Sequence, residues 1–345
     1  MTYKAPTQDM LFNIRHIANI DAIAEMPAYA DAGFDTAQAV LEECAKFNEA
    51  VVAPLNWAGD QNPSHWENFA VKTTPGFKEA FQQYGQAGWQ GLQHPPAYGG
   101  QGLPKTIGAA CGEMLNAANL SFALCPLLTD GAIEALITAA SDELKDRYLA
   151  KLISGEWTGT MNLTEPQAGS DLALVRTKAV PQADGTYRIS GTKIYITYGE
   201  HDMAENIVHL VLARVQGAPE GVKGISLFIV PKFILDENGE PGVRNGVTCG
   251  SIEKKMGIHG NATCLLNYDG ATGYMVGEEN KGLAAMFIMM NAARLGVGIQ
   301  GYAQAEVAYQ NAVNYALDRR QGRALTGPVD PGAKADPIFV HPDVR

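Results

Sequence analysis

The sequence predicts an α+β, multidomain chain: an N-terminal helical domain, a middle antiparallel, β-barrel-like domain, and a C-terminal helical bundle that is incomplete. Apolar residues recur at helical spacing through about the first 155 positions. Short β-rich runs separated by turns take over near Gly159, and helical texture returns at Leu283. The expected boundaries are an N-terminal extension over 1–34, a helical domain over 35–158, a β domain over 159–275 and the start of a second helical domain over 276–345.

In the first part, Asp35-Thr36 precede a helical run from Ala37 to Val52, closed by Pro54. Further helices are expected at Phe77–Ala87, Gly108–Ala118, Gly131–Ala139 and Asp142–Ile153. The Gly- and Pro-rich stretch from Gly88 to Pro104 is a structured loop, because neither residue suits a helix interior. Strands are expected at Tyr187–Ser190, Lys193–Thr197, Asn206–Val215, Gly224–Pro231 and Cys264–Tyr268. From Leu283 a helix with small-residue breaks runs to about Arg320, and a Gly/Pro loop follows. No internal repeat or low-complexity segment stands out.

A formal net charge of −11 argues against a general nucleic-acid or anionic-membrane binder, since phosphate surfaces repel it. Five scattered cysteines without Cys-x-x-Cys spacing fit a reduced, cytoplasmic setting, and no histidine pair has metal-ligand spacing, so no metal is expected. The N-terminus lacks the basic start and apolar run of a signal peptide. The longest apolar stretch, Gly282 to Ile299, carries Asn291 and Arg294 in its middle and reads as a buried helix with no stable membrane insertion.

One segment carries chemistry. Met161-Asn162-Leu163-Thr164-Glu165-Pro166-Gln167-Ala168-Gly169-Ser170-Asp171-Leu172 stands at the helix-to-β junction. It offers hydroxyls at Thr164 and Ser170 and accessible backbone N–H groups around Gly169, which suit a flat heterocycle or a phosphate. A plain capped turn at Ser170 or Asp171 uses the same residues.

Thr164-Glu165-Pro166-Gln167-Ala168-Gly169-Ser170-Asp171 resembles the first signature of the acyl-CoA dehydrogenase family. Lys193-Ile194-Tyr195-Ile196-Thr197 is similar to the family's following strand, and Ile252–Gly257, Gly277–Gly282 and Arg294 are similar to later landmarks. The resemblance covers about residues 35 to 345. Tyr3–Pro6, Ala53–Asn56 and Ala271–Tyr274 resemble the family's larger bacterial branch, which has an extra N-terminal segment and a C-terminal extension.

The resemblance implies FAD as cofactor and α,β-dehydrogenation of an acyl-CoA to the 2-enoyl-CoA, with 3-(methylthio)propanoyl-CoA or another short- or medium-chain acyl-CoA as substrate. It places Met161, Leu163, Thr164, Gly169, Ser170, Tyr195, Ile196 and Thr197 at the flavin, with Met161 where the family often has an aromatic residue. Ser170 and Arg294 fall to the substrate. Arg319 and Gln321 would contact the FAD of a neighbouring subunit in a homodimer or homotetramer, although cations at a helix end also favour the helix dipole unaided. Electron-transfer flavoprotein or a similar acceptor is the implied partner. The family's basic glutamate is expected beyond Arg345, so no catalytic residue is assigned within this chain, and Glu165 is not promoted to that role. An acyl-CoA oxidase and a non-catalytic FAD- or acyl-CoA-binding scaffold are the alternatives. Gly296-Val297-Gly298-Ile299-Gln300-Gly301 matches Gly-x-Gly-x-x-Gly but lacks a preceding strand, and reads as close helix packing through small residues.

Overall fold

A computed structural model describes residues 3–345. Helices α1 (Thr7–His16), α2 (Ile20–Ala24), α3 (Phe34–Phe47) and α4 (Pro54–Gln61) open the chain. Pro54 does not close a helix as expected. A π-helical turn over Asn48–Val52 links α3 to α4, and Pro54 is the first residue of α4, where its missing N–H costs nothing. A small hairpin, β1 (His65–Glu67) with β2 (Ala70–Lys72), precedes α5 (Phe77–Gln86), α6 (Lys105–Ala118), α7 (Leu120–Ala139) and α8 (Asp142–Ile153).

Helix α7 is twice the length the sequence predicts, because its first half is buried almost all round and shows no apolar period to read. Asn119 caps it by accepting a hydrogen bond from Phe122 N at 3.1 Å.

The β layer is one seven-stranded sheet built from β3 (Trp157–Asn162), β4 (Lys178–Pro181), β5 (Tyr187–Thr197), β6 (Asn206–Val215), β7 (Ser226–Pro231), β10 (Val247–Ile252) and β11 (Thr263–Val276). Strands β8 (Phe233–Leu235) and β9 (Pro241–Arg244) pair only with each other. Most pairings are antiparallel, but β3 and β4 each run parallel to β6. β3 was not predicted. Five of its six residues are buried, so the alternation that marks a half-exposed strand is missing. The two runs expected between Tyr187 and Thr197 form one strand.

Helix α9 (Gly282–Asp318) is continuous over 37 residues, without the expected breaks. It is less buried than the sequence implies. Only 22% of its apolar window is covered, whereas the equally apolar α7 is 67% covered. Both helices are long and apolar enough to cross a membrane by length and composition. Gly296 does serve close packing, since a Cβ there would lie 2.4 Å from Leu127 Cδ1, but Gly298 and Gly301 meet nothing within 4 Å.

Two close approaches lock the helical and β layers. A Cβ on Gly159 of β3 would sit 2.5 Å from Ala132 Cβ of α7, and Gly159 N donates to Thr129 Oγ1 at 3.0 Å. Gly159→Val should therefore cost about 1–3 kcal/mol through overpacking, read as a lower midpoint in urea unfolding with unchanged m-value. A variant as stable as the parent would mean that the two layers slide freely.

Candidate cofactor and acyl site

Strand β3 delivers the signature loop, and its two faces do different things. Thr158, Thr160 and Asn162 turn into the sheet's polar interior. There Thr158 bonds His201 at 2.9 Å, Thr160 bonds His209 at 2.7 Å, and Tyr268 donates to Asn162 at 2.9 Å. Burial, then the nearby Arg244 and Lys232 charges, lower the His209 pKa to about 3, so this file is uncharged. On the other face Trp157 packs on Tyr148 and Gly159 on α7. Met161 and Leu163 are half-buried on the apolar cluster that α7 and α9 share with the sheet.

The loop is held from behind by a buried ion pair. Lys193 Nζ of β5 donates to Glu165 Oε1 at 2.8 Å and to the Leu163 carbonyl at 2.9 Å. Glu165 Oε1 also accepts from Thr177 Oγ1 at 2.6 Å and Thr177 N at 3.1 Å, and its Oε2 accepts from Arg176 N at 2.8 Å and Gln167 Nε2 at 2.6 Å. Burial alone would raise the Glu165 pKa, but the Lys193 charge and these donors bring it down to about 2. Burial is the larger influence on Lys193, whose pKa falls to about 8 against the pull of Glu165. With every lone pair directed at a donor, Glu165 is a structural anion, not a base.

Beside this pair β5 carries a bulge. Lys193 faces Leu266 and Ile196 faces Cys264, so β5 spends one residue more than β11 across the step. The extra residue does two things. Ile194 N turns to the Thr164 carbonyl at 2.9 Å, which pins the loop to the strand. Tyr195 takes φ +60, a left-handed conformation that an aromatic side chain rarely adopts, and stands 61% exposed beside it. The bulge also shifts the inward-facing set, from Ile189 and Lys193 before it to Ile196 and Tyr198 after it. Without it Tyr195 would point into the sheet.

The structure thus gathers Leu163, Thr164, Gly169, Ser170, Tyr195 and Thr197 on adjoining segments, while Ile196 is buried beneath them. Among the described residues the hydroxyls of Thr164, Ser170 and Thr197 make no internal hydrogen bond, and a Cβ added at Gly169 would meet only Thr164 Cγ2, at 3.8 Å. An exposed aromatic face, free hydroxyls and an open glycine backbone fit a flavin.

Arg294 does not join this group. It is exposed, donates to Asn291 Oδ1 at 2.6 Å and lies over the Phe287 ring. Arg319 and Gln321 are farther still, about 37 Å along α9 from Arg294 at the usual helical rise. Of the three arginines there, Arg320 pairs with Asp330 and Arg323 with Asp336, which leaves Arg319 without a carboxylate among the described residues.

One feature escaped the sequence reading. A cavity of about 160 Å³ lies between α3, α5, α6, α7 and α9, lined by Tyr84, Leu115, Pro126, Asp130 and Leu295 among others. It shares α7 with the candidate cofactor site: Thr129 touches β3, and Ser121 O accepts from Tyr198 OH at 2.7 Å. Asp130, a carboxylate inside the apolar run Leu120–Ala139, was the available signal.

Comparison with known proteins agrees with the fold. Residues 35–156 match the acyl-CoA dehydrogenase N-terminal domain and residues 160–271 the acyl-CoA dehydrogenase middle domain. The chain belongs to the acyl-CoA dehydrogenase family. It is 54% identical over 346 residues to the 3-methylmercaptopropionyl-CoA dehydrogenase of Ruegeria pomeroyi, a match that covers 100% of this chain and 58% of that protein. Among solved structures, the acyl-CoA dehydrogenase of Bacillus anthracis complexed with FAD is 26% identical with a TM-score of 0.72, covering 90% of this chain and 48% of that one. A chain in the structure of the electron-transferring flavoprotein of Acidaminococcus fermentans is 27% identical with a TM-score of 0.69, covering 83% and 69%.

The ion pair gives an acid signature. The folded-state pKa of Glu165 lies below its unfolded value of 4.5, so its contribution is fully present above pH 4.5 and is lost as pH falls toward 2. Glu165→Gln strands Lys193 and should destabilise by about 3–5 kcal/mol at pH 7, with a shallower loss of stability in acid. Parallel acid-unfolding curves for variant and parent would rule out this role.

Proposed function

We propose that this chain forms the cofactor- and acyl-binding part of a flavin-dependent dehydrogenase that converts a short- or medium-chain acyl-CoA, 3-(methylthio)propanoyl-CoA among them, to the 2-enoyl-CoA. The observation that carries this reading is Tyr195, held exposed at φ +60 beside a loop whose Thr164 hydroxyl is free, with both braced by a buried ion pair. A strained aromatic on a rigid mount is a platform for a planar ligand.

In this reading Tyr195 covers the isoalloxazine of FAD, the Thr164 and Thr197 hydroxyls hydrogen-bond its polar edge, and Met161 and Leu163 supply the apolar wall. Ser170 and the Gly169 backbone lie where cofactor and CoA thioester meet. FAD when bound supplies the acceptor for the β-hydride. The cavity against α7 and α9 takes the acyl chain and keeps water from it. The α-proton needs a base, and Glu165 is not free to be that group. The likeness to the Acidaminococcus structure supports an electron-transferring flavoprotein as acceptor, and Arg319 with Gln321 is the candidate contact to the FAD of a second subunit.

The test is the complete gene product. It should purify with a flavin absorbance spectrum and oxidise butanoyl-CoA and 3-(methylthio)propanoyl-CoA in a dye-linked assay without stoichiometric peroxide. A colourless protein that takes up no added FAD defeats the reading, and peroxide at one equivalent per turnover would make it an oxidase.

Arg294 offers a second test, because its exposure lets it be removed without disturbing the fold. Arg294→Ala should leave the melting temperature unchanged while weakening acyl-CoA binding roughly ten- to a hundred-fold, the loss expected for a charged hydrogen bond. Unaltered affinity would detach Arg294 from the CoA arm.

A further inference from the structure

The wall of the cavity against α7 holds a carboxylate and more free acceptors than free donors. Asn48, Gln90 and Asn116 in its wall are buried, and in each the amide nitrogen donates to a main-chain carbonyl: Cys44 at 2.9 Å, Pro126 at 3.3 Å and Gly112 at 2.7 Å. Those bonds fix the orientation of each amide, since a flip would set oxygen against oxygen. The atoms those amides leave over are Asn48 Oδ1, Gln90 Oε1 and Asn116 Oδ1, three acceptors without a partner among the described residues, against one unpartnered donor in the same wall, Trp89 Nε1.

Asp130 adds a formal charge to that wall. His94 Nε2 lies 2.5 Å from its Oδ1, and Gln93 Nε2 donates to its Oδ2. The buried His94 Nδ1 meets no partner among the described residues. Both carboxylate oxygens of Asp130 thus have a partner, and the carboxylate still lines the cavity. Tyr84 stands near it: burial first, and then the Asp130 charge, push the Tyr84 phenol pKa well up. Lys105, the cavity's one cation among the described lining residues, is neutralised by Glu134 at 2.8 Å.

Three aromatic rings stand among the aliphatic side chains of that wall. Phe47 lies with its ring centroid 6.2 Å from that of Tyr84 and 6.3 Å from that of Trp89, and all three line the cavity. Ring faces carry negative charge density, so aromatics grouped with a carboxylate and carbonyl oxygens are the chemistry that holds a quaternary cation. A neutral alkyl tail would meet these oxygens without the electrostatic attraction that a cationic end supplies.

We infer that the acyl cavity selects short acyl-CoA thioesters whose far end carries a fixed positive charge, with Asp130 and the Phe47–Tyr84–Trp89 cluster as the specificity-determining residues. This rests on the cavity being the acyl pocket of the proposed dehydrogenase. The charged end sits on the helical side of the cavity, away from the α and β carbons, so the oxidation itself is unchanged.

The experiment compares two esters of the same shape on the holoenzyme: 4-(trimethylammonio)butanoyl-CoA and its neutral isostere 5,5-dimethylhexanoyl-CoA, with butanoyl-CoA as reference. The charged ester should show kcat/KM at least about tenfold above the isostere. Asp130→Asn should lower that ratio about tenfold, and Trp89→Leu serves the same purpose if Asp130→Asn does not retain flavin. Equal use of the two esters, or preference for the neutral one, overturns the inference while oxidation of butanoyl-CoA keeps the dehydrogenase reading intact. If none of the three is oxidised, both fall together.

Discussion

The Lys193–Glu165 pair is the constraint on which the site depends. Two ions with almost no exposure pay a desolvation cost that their attraction barely offsets, so the pair is weak as a source of net stability. Its value is positional. Lys193 Nζ bonds both the Glu165 carboxylate and the Leu163 carbonyl, which joins a strand to the loop on either side of Thr164. The other oxygen of Glu165 reaches Arg176 N and Gln167, so the loop is closed on itself at its far end as well. All of this bonding lies beneath the loop. The surface left over has hydroxyls and backbone groups that nothing in the protein uses, and that is the condition for meeting a ligand.

The bulge at Tyr195 follows from the same arrangement. Lys193 must face inward to reach Glu165, and strict alternation would then take Tyr195 inward too. Inserting one residue reverses the alternation, frees Ile194 N for the Thr164 carbonyl and turns the phenol ring out. The strain of an aromatic at φ +60 is offset by the rigid pairing on both sides. Tyr198, also left-handed at φ +50, ends the step by bonding Ala262 O through its N–H and Ser121 O through its hydroxyl, which ties the strand to the start of α7.

Much of this was legible in the sequence. The order of helical, β and helical layers was, as were α5, α8 and β6 to within a residue, because each has a clear period and clear ends. Elements buried on both sides were not. The first half of α7 and most of β3 lack a polar face, and periodicity is blind to them. The signature loop could be placed but its mechanics could not. Glu165 and Lys193 lie 28 positions apart, and nothing local tells a reader that they meet. The bulge is equally silent, since Lys193 to Thr197 looks like an ordinary β run. The cavity was missed because its residues come from five helices at no fixed spacing.

Helix α9 shows the limit from the other direction. Its composition reads as buried, yet Leu295, Val297, Tyr302, Tyr309, Tyr315 and Leu317 are each about half exposed or more. A periodic pattern reports that a face is apolar, not which neighbour covers it. The tightly held start of the helix explains why it matters to the site. Gly282 sits so close to β7 that a Cβ would lie 2.2 Å from the Ser226 main chain, and Gly131 of α7 leaves room for Met289. These contacts fix the angle at which Ala292, Leu295, Gly296 and Ile299 meet α6 and α7 across the cavity. The far wall of the cavity is therefore set by the β layer through α9, while the near wall is set by the same layer through Gly159 and α7. The signature loop and the cavity share one rigid reference, the β3–β6–β7 part of the sheet, so a ligand that bridges the two would meet surfaces already aligned.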